Sequence, residues 1–207
     1  SWGPFGRNLH EDLLGVQGQG LAMREGTDMR PLVSLSGNIA PDGSASFFDV
    51  VMRIADKVHA PHYPMPVPVI SATAEENEAF HALGPVRRVV ELARTADVVF
   101  VGVGQMGNDA PLLADGFVTR EELVAMQAAG AVGEVAGWVY DSEGRYLDLG
   151  TNRRVGGVRI EAGRPNPVIG IAAGPSKVAP MRAALKSRIL NGLVTDEASA
   201  RAILAGL

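Results

Sequence analysis

The chain has 207 residues, 46% of them hydrophobic and 20% charged, with a formal net charge of −4 and no cysteine. That is enough chain to bury one good-sized core, and it excludes disulfides and thiolate metal sites. No apolar run is long enough to cross a bilayer, and the scattered Lys and Arg leave no basic footprint for nucleic acid.

The opening, Ser1 to Gly15, holds two glycine turns, Trp2-Gly3-Pro4 and Phe5-Gly6-Arg7-Asn8, with no strand before them. Pro4 suits the first turn of a helix, so the stretch reads as the inside of a strand–turn–helix unit whose earlier part is missing. Gln17 to Met29 is polar and glycine-rich and reads as loop. Pro31 to Leu35 reads as a short strand ending in the turn Ser36-Gly37-Asn38. From Ser46 to Ala60, the residues Phe47, Val50, Val51, Ile54, Ala55 and Val58 fall at helical spacing on one face. Four prolines between 61 and 68 keep the next stretch extended, with a strand edge expected over Val67–Ile70. Ala74–Leu83 and Pro85–Ala96 read as helices.

Asp97 to Gly107 is the centre of the chain. Its β-branched run, Val98 to Val101 and then Val103, predicts a strand buried on both faces of a parallel sheet. It ends in Gly102, Gly104 and Gly107, where backbone can approach a ligand closely. In open α/β sheets ligands bind beyond the carboxyl ends of strands.

Residues 108–116 read as loop, and Thr119 with Glu122 makes a capping box for a helix running to about Ala129. Val135–Tyr140 reads as one strand, Asp141–Gly144 as a turn, Tyr146–Arg154 as irregular and Val158–Glu161 as a short strand. Pro167–Ala173 is a further buried strand, followed by a helix over Pro175–Arg188. Leu193-Val194 is a last short strand, and Thr195 caps a final helix. Strands and helices alternate, which argues an α/β sheet, mostly parallel, with helices on both faces.

Three features carry candidate chemistry. Gly102-x-Gly104-x-x-Gly107 matches the dinucleotide fingerprint literally, but Asn108-Asp109-Ala110-Pro111 follows where a helix should start, which argues against nicotinamide. Lys177 lies one turn into a helix, where free N–H groups suit an anion and the dipole disfavours a bare cation; a phosphate, a carboxylate or plain solvent could answer it. Asp141 ends a strand, where it can accept bonds from adjacent sugar hydroxyls or cap its own turn. His10, His59, His62 and His81 are dispersed without ligand spacing, so no metal is assigned. No cofactor is expected, and no nucleophile stands paired with a base.

Taken together, GFVTREELVAMQAAGAVGEVAGWVYDSEG (116–144), VIGIAAGPSK (168–177) and GLVTDEASARAIL (192–204), with the strand ending Gly102-Val103-Gly104, resemble the effector-binding domain of the SorC family of bacterial transcription regulators. The resemblance spans about residues 31–207. It implies a Rossmann-like fold similar to sugar-phosphate isomerases and glucosamine-phosphate deaminases. It also implies that residues 1–207 are one effector domain, binding a sugar phosphate, a sugar or a sugar alcohol at the strand ends. The N-terminal helix-turn-helix that would contact operator DNA is absent from this chain. Position by position, it places Asp141 on ligand hydroxyls and Lys177 at the pocket. Gly102, Gly104 and Gln105 fall on the loop after the central strand, and Gly37 and Asn38 on a glycine turn lining the pocket. The family's opening Trp-Gly-x-Thr has two counterparts here, Trp2-Gly3 or Phe5-Gly6-Arg7-Asn8, so Gly3, Gly6 and Asn8 are candidates although neither segment supplies the threonine. The implied protein is a cytoplasmic homodimer or homotetramer, not an enzyme. The alternative is a sugar-phosphate isomerase or deaminase on the same fold.

Overall fold

Side chains of the central strand β4 (Val98–Gly102) alternate between two cores. The computed structural model describes residues 20–23, 31–44 and 50–206. Val99 and Val101 join Val33 and Leu35 of β2 (Leu32–Ile39) in one cluster with Val86, Val89 and Leu92, helix neighbours on α3 (Gly84–Arg94). Phe100 turns the other way, packing where Leu32 meets Val51, Ile54 and Ala55 of α1 (Val50–Val58). Period-two strands thus meet helices on both faces, as the alternation of elements requires.

The sheet is completed by β1 (Gly20–Met23), β3 (His62–Pro68), β8 (Val168–Ile171) and β9 (Gly192–Val194), in the order β3-β2-β1-β4-β8-β9. β2 and β3, β4 and β8, and β8 and β9 pair in parallel, whereas β1 runs antiparallel to both neighbours. All the strands but β1 therefore point the same way, and their carboxyl ends share one edge. β1 corrects the expectation of a loop over Gln17–Met29: four residues are too few to show a period. Pro64, Pro66 and Pro68 sit on the outermost strand, where a missing N–H costs least.

Four further expectations are corrected. Val135–Tyr140 is a hairpin, β6 (Gly133–Val135) and β7 (Trp138–Tyr140), turning on Ala136 and Gly137 with φ of +52° and +86°. Such a two-residue turn with both φ positive matches the twist of its strands. Short helices occupy stretches read as loop, α4 (Pro111–Ala114) and α6 (Gly150–Arg153). Val158–Glu161 forms no strand: Val158 N–H donates to Leu35 O at 2.7 Å, and Gly157 lies too close to Leu35 O to bear a side chain. The final helix α8 (Glu197–Leu204) is capped by Asp196, not Thr195. The capping box of Thr119 and Glu122 on α5 (Arg120–Ala128) forms as expected, and Thr73 caps α2 (Ala74–Ala82).

Candidate functional site

After Gly102 the chain leaves the main sheet. β5 (Gly104–Gln105) pairs with β6, placing Gly104 directly opposite Glu134. The Glu134 side chain is fully buried and lies over Gly104, where a Cβ would stand 2.0 Å from Oε1. Oε2 accepts the Gly137 N–H at 2.8 Å, which ties the carboxylate to the hairpin turn. Among the described residues, Oε1 is buried without a hydrogen bond of ordinary geometry. Burial pushes the Glu134 carboxyl up to about 7, against the Gly137 bond, the positive charge of Lys177 and, more weakly, the nearby Gly104 N–H, while the charge of Asp115 acts with burial.

Lys177 ends a 3₁₀ turn (Pro175–Lys177) between β8 and α7 (Val178–Lys186), and this turn packs on β5. The side chain is partly buried. Burial lowers its pKa, and the charges of Glu134 and Asp109 act in the opposite sense. No carboxylate among the described residues comes within ion-pair distance of its ammonium. An unpaired cation and an unpaired buried acceptor therefore face one another's field at the carboxyl edge of the sheet.

The sequence candidates distribute unevenly around this pair. Gly102 ends β4 and Gly104 makes room for Glu134, both at the carboxyl edge. Gly37 and Asn38, expected in a turn after Leu35, lie inside β2, which runs on to Ile39 at the same edge. A Cβ on Gly37 would stand 2.4 Å from Pro68 O, so its smallness also serves the contact with β3. Gln105 locks its own loop: Nε2 donates to Asp109 O and Oδ1, at 3.1 and 3.0 Å, and Oε1 accepts the Gly107 N–H. Gly107 opens no helix, so the dinucleotide geometry is not built. Gly3, Gly6 and Asn8 lie outside the described residues.

Asp141 is bound into its own turn. Its Oδ1 accepts the N–H groups of Glu143 and Arg145, each at 2.9 Å, and its Oδ2 takes the Arg145 guanidinium. The same turn leans on the last turn of α7, where Gly144 touches Ser187 and Ala183 and Lys186 pairs with Glu143 at 2.7 Å. Lys177 precedes the first turn of that helix. Glu134 was missed by reading the sequence. The available signal was a charged residue inside the apolar run Val132–Tyr140, opposite a glycine-rich strand end.

Fold and site together define an α/β domain with a buried acceptor and a lysine near the ends of its parallel strands. The "Putative sugar-binding domain" family model matches residues 24–205, and the chain belongs to that family. It is 34% identical over 177 residues to the erythritol catabolism regulatory protein EryD of Brucella abortus, covering 86% of this chain and 56% of the relative. It is 33% identical over 179 residues to the transcriptional regulator LsrR of Enterobacter sp. (strain 638), covering 84% and 53%. The chain thus spans little more than half the length of these relatives. A domain described as that of "a possible sugar-binding transcriptional regulator" from Arthrobacter aurescens TC1 superposes with a TM-score of 0.73 at 26% identity, covering 83% of this chain and 67% of that one. The full-length sorbitol operon regulator SorC from Klebsiella pneumoniae shares the fold, with a TM-score of 0.75 at 21% identity over 87% and 60% of the two chains. These relatives carry the names of regulators, not of isomerases or deaminases.

Proposed function

We propose that this chain is the effector-sensing part of a cytoplasmic bacterial regulator, taking a sugar, a sugar alcohol or a phosphate ester of either at the carboxyl edge of its sheet. One observation carries the proposal: among the described residues Oε1 of Glu134 is buried without a hydrogen-bond partner, in the field of a Lys177 that no carboxylate pairs. Leaving such an acceptor unmade costs about 1–3 kcal/mol, which a ligand hydroxyl would recover. The Lys177 ammonium would donate to a second ligand oxygen or meet a phosphate. Gly37, Asn38, Gly102 and Gly104 would line the cup, with Gly3, Gly6 and Asn8 as further candidates. Asp141 is left out of the ligand set because its oxygens are taken by its own turn. EryD and SorC, named for erythritol and sorbitol, support a polyol as first choice.

Regulation would follow from differential affinity. The effector stabilises one arrangement of subunits in a homodimer or homotetramer, and a DNA-contacting part outside residues 1–207 reports it. The test is mass spectrometry of small molecules released from natively purified protein, followed by calorimetry of the identified compound on wild type and Lys177→Ala. Binding lost in the variant supports the proposal. Turnover of the compound by the protein would contradict it.

A further inference from the structure

The acid at the start of α8 does more than cap a helix. Oδ1 of Asp196 accepts the Ser199 N–H at 2.8 Å, the ordinary N-cap bond. Its Oδ2 accepts from the Ser199 hydroxyl at 2.7 Å and from the Gly174 N–H at 2.9 Å. The same Gly174 N–H also reaches Ser199 Oγ at 3.1 Å, and Ser199 is buried. Thr73 and Thr119 show that a hydroxyl is enough to cap a helix in this fold. The second oxygen at 196 is spent on a different element.

That element carries the lysine. Gly174 has φ +101° and ψ 159°, a conformation only glycine holds readily. Its carbonyl accepts the Lys177 N–H at 3.1 Å, closing the turn. The Gly174 residue is thus gripped at its N–H from α8 and at its carbonyl from Lys177, with only Pro175 and Ser176 between. Without the grip on the N–H, glycine's free rotation would let the turn swing and carry the ammonium with it.

We infer that Asp196 is the positioning residue of the ligand site, fixing the Gly174 turn that packs on β5 so that Lys177 is held at the carboxyl edge of the sheet. This rests on the site proposed above. It gives the third sequence block, GLVTDEASARAIL, a task beyond starting a helix. The bonds to Ser199 and Gly174 hold the Asp196 carboxyl down to about 2, so the grip persists across the neutral range.

Asp196→Asn and Asp196→Ser separate the two tasks, since either residue caps a helix about as well as aspartate, while neither offers Gly174 a second carboxylate oxygen. The probes are erythritol, sorbitol and their monophosphates, measured by calorimetry, with amide hydrogen exchange of Gly174 and Ser199 read alongside. The expected result is a nearly unchanged melting temperature, a protected Ser199 amide, a faster-exchanging Gly174 amide, and affinity lower on the order of tenfold, the scale of one charged hydrogen bond. Unchanged affinity and Gly174 protection, in a protein where Lys177→Ala abolishes binding, would overturn the inference alone. Wild-type binding by both Lys177→Ala and Glu134→Gln would mean the site itself is misplaced, and the inference would fall with it. Should no probe bind wild type, Gly174 exchange decides: protection equal to wild type in Asp196→Asn overturns the grip, and faster exchange supports it.

Discussion

Gly104 and Glu134 stand opposite each other on adjacent strands, and the absence of a side chain on the first is what lets the carboxylate of the second lie over it. A methyl group there would meet not only Oε1 but also Cγ and Cδ, each at 2.7 Å, so the whole buried side chain would have to move.

Gly104→Ala is therefore expected to displace Glu134. Overpacking of this kind costs about 1–3 kcal/mol. A thermal melt should show that loss, and calorimetry with the cognate ligand should show weaker binding, because the acceptor has left its place.

Glu134 makes stability depend on pH in a defined direction. Its folded pKa of about 7 lies above the unfolded value near 4.5, so the folded state holds a proton that the unfolded state has released between those values. Stability of the unliganded domain should fall as pH rises through that window, by up to about 3 kcal/mol in total. Glu134→Gln should flatten this slope and raise the melting temperature at pH 8 relative to wild type. Ligand affinity should move oppositely: it should strengthen with pH through about 7 in wild type, as the carboxylate ionises into a better acceptor, and lose that dependence in the variant.

Asp141→Ala tests the separation of turn from site. It removes two backbone bonds and one ion pair from the Asp141–Gly144 turn. The expected outcome is a loss of about 1–2 kcal/mol in a denaturant titration, with ligand affinity unchanged. Weakened binding at full stability would return Asp141 to the ligand set.

The Ala136-Gly137 turn should be equally exacting. Gly137 has φ +86° and donates the bond that holds Oε2 of Glu134. Gly137→Ala should cost about 1 kcal/mol or more in backbone strain, seen in a melt, and should weaken ligand binding by loosening Glu134.

Strong local periods carried most of the fold. The β-branched run Val98–Val101, the apolar face of α1 and the capping box at Thr119 each need only a few neighbouring residues to declare themselves. Short or unpatterned elements did not. β1 has four residues, α4 and α6 four each, and the β6–β7 hairpin turns inside the mostly apolar run Val135–Tyr140 with no mark but Gly137. The site was legible as an edge rather than as a set of residues. Gly102, Gly104 and Lys177 could be offered as candidates because strand-end glycines and helix-start lysines have local meanings. Glu134 was not found, because what makes it unusual is burial opposite Gly104, a relationship between residues thirty positions apart. For Asp141, the local argument for a turn cap matched the geometry better than the position carried over from the resemblance.

The central claim is that a hydroxylated ligand completes the unpaired acceptor of Glu134. A crystal structure of the protein with the compound it carries on native purification tests this most directly. The account predicts a ligand oxygen about 2.6–3.2 Å from Oε1 of Glu134, with a second within reach of Lys177. A ligand seated elsewhere, with Oε1 still unpartnered, would contradict it.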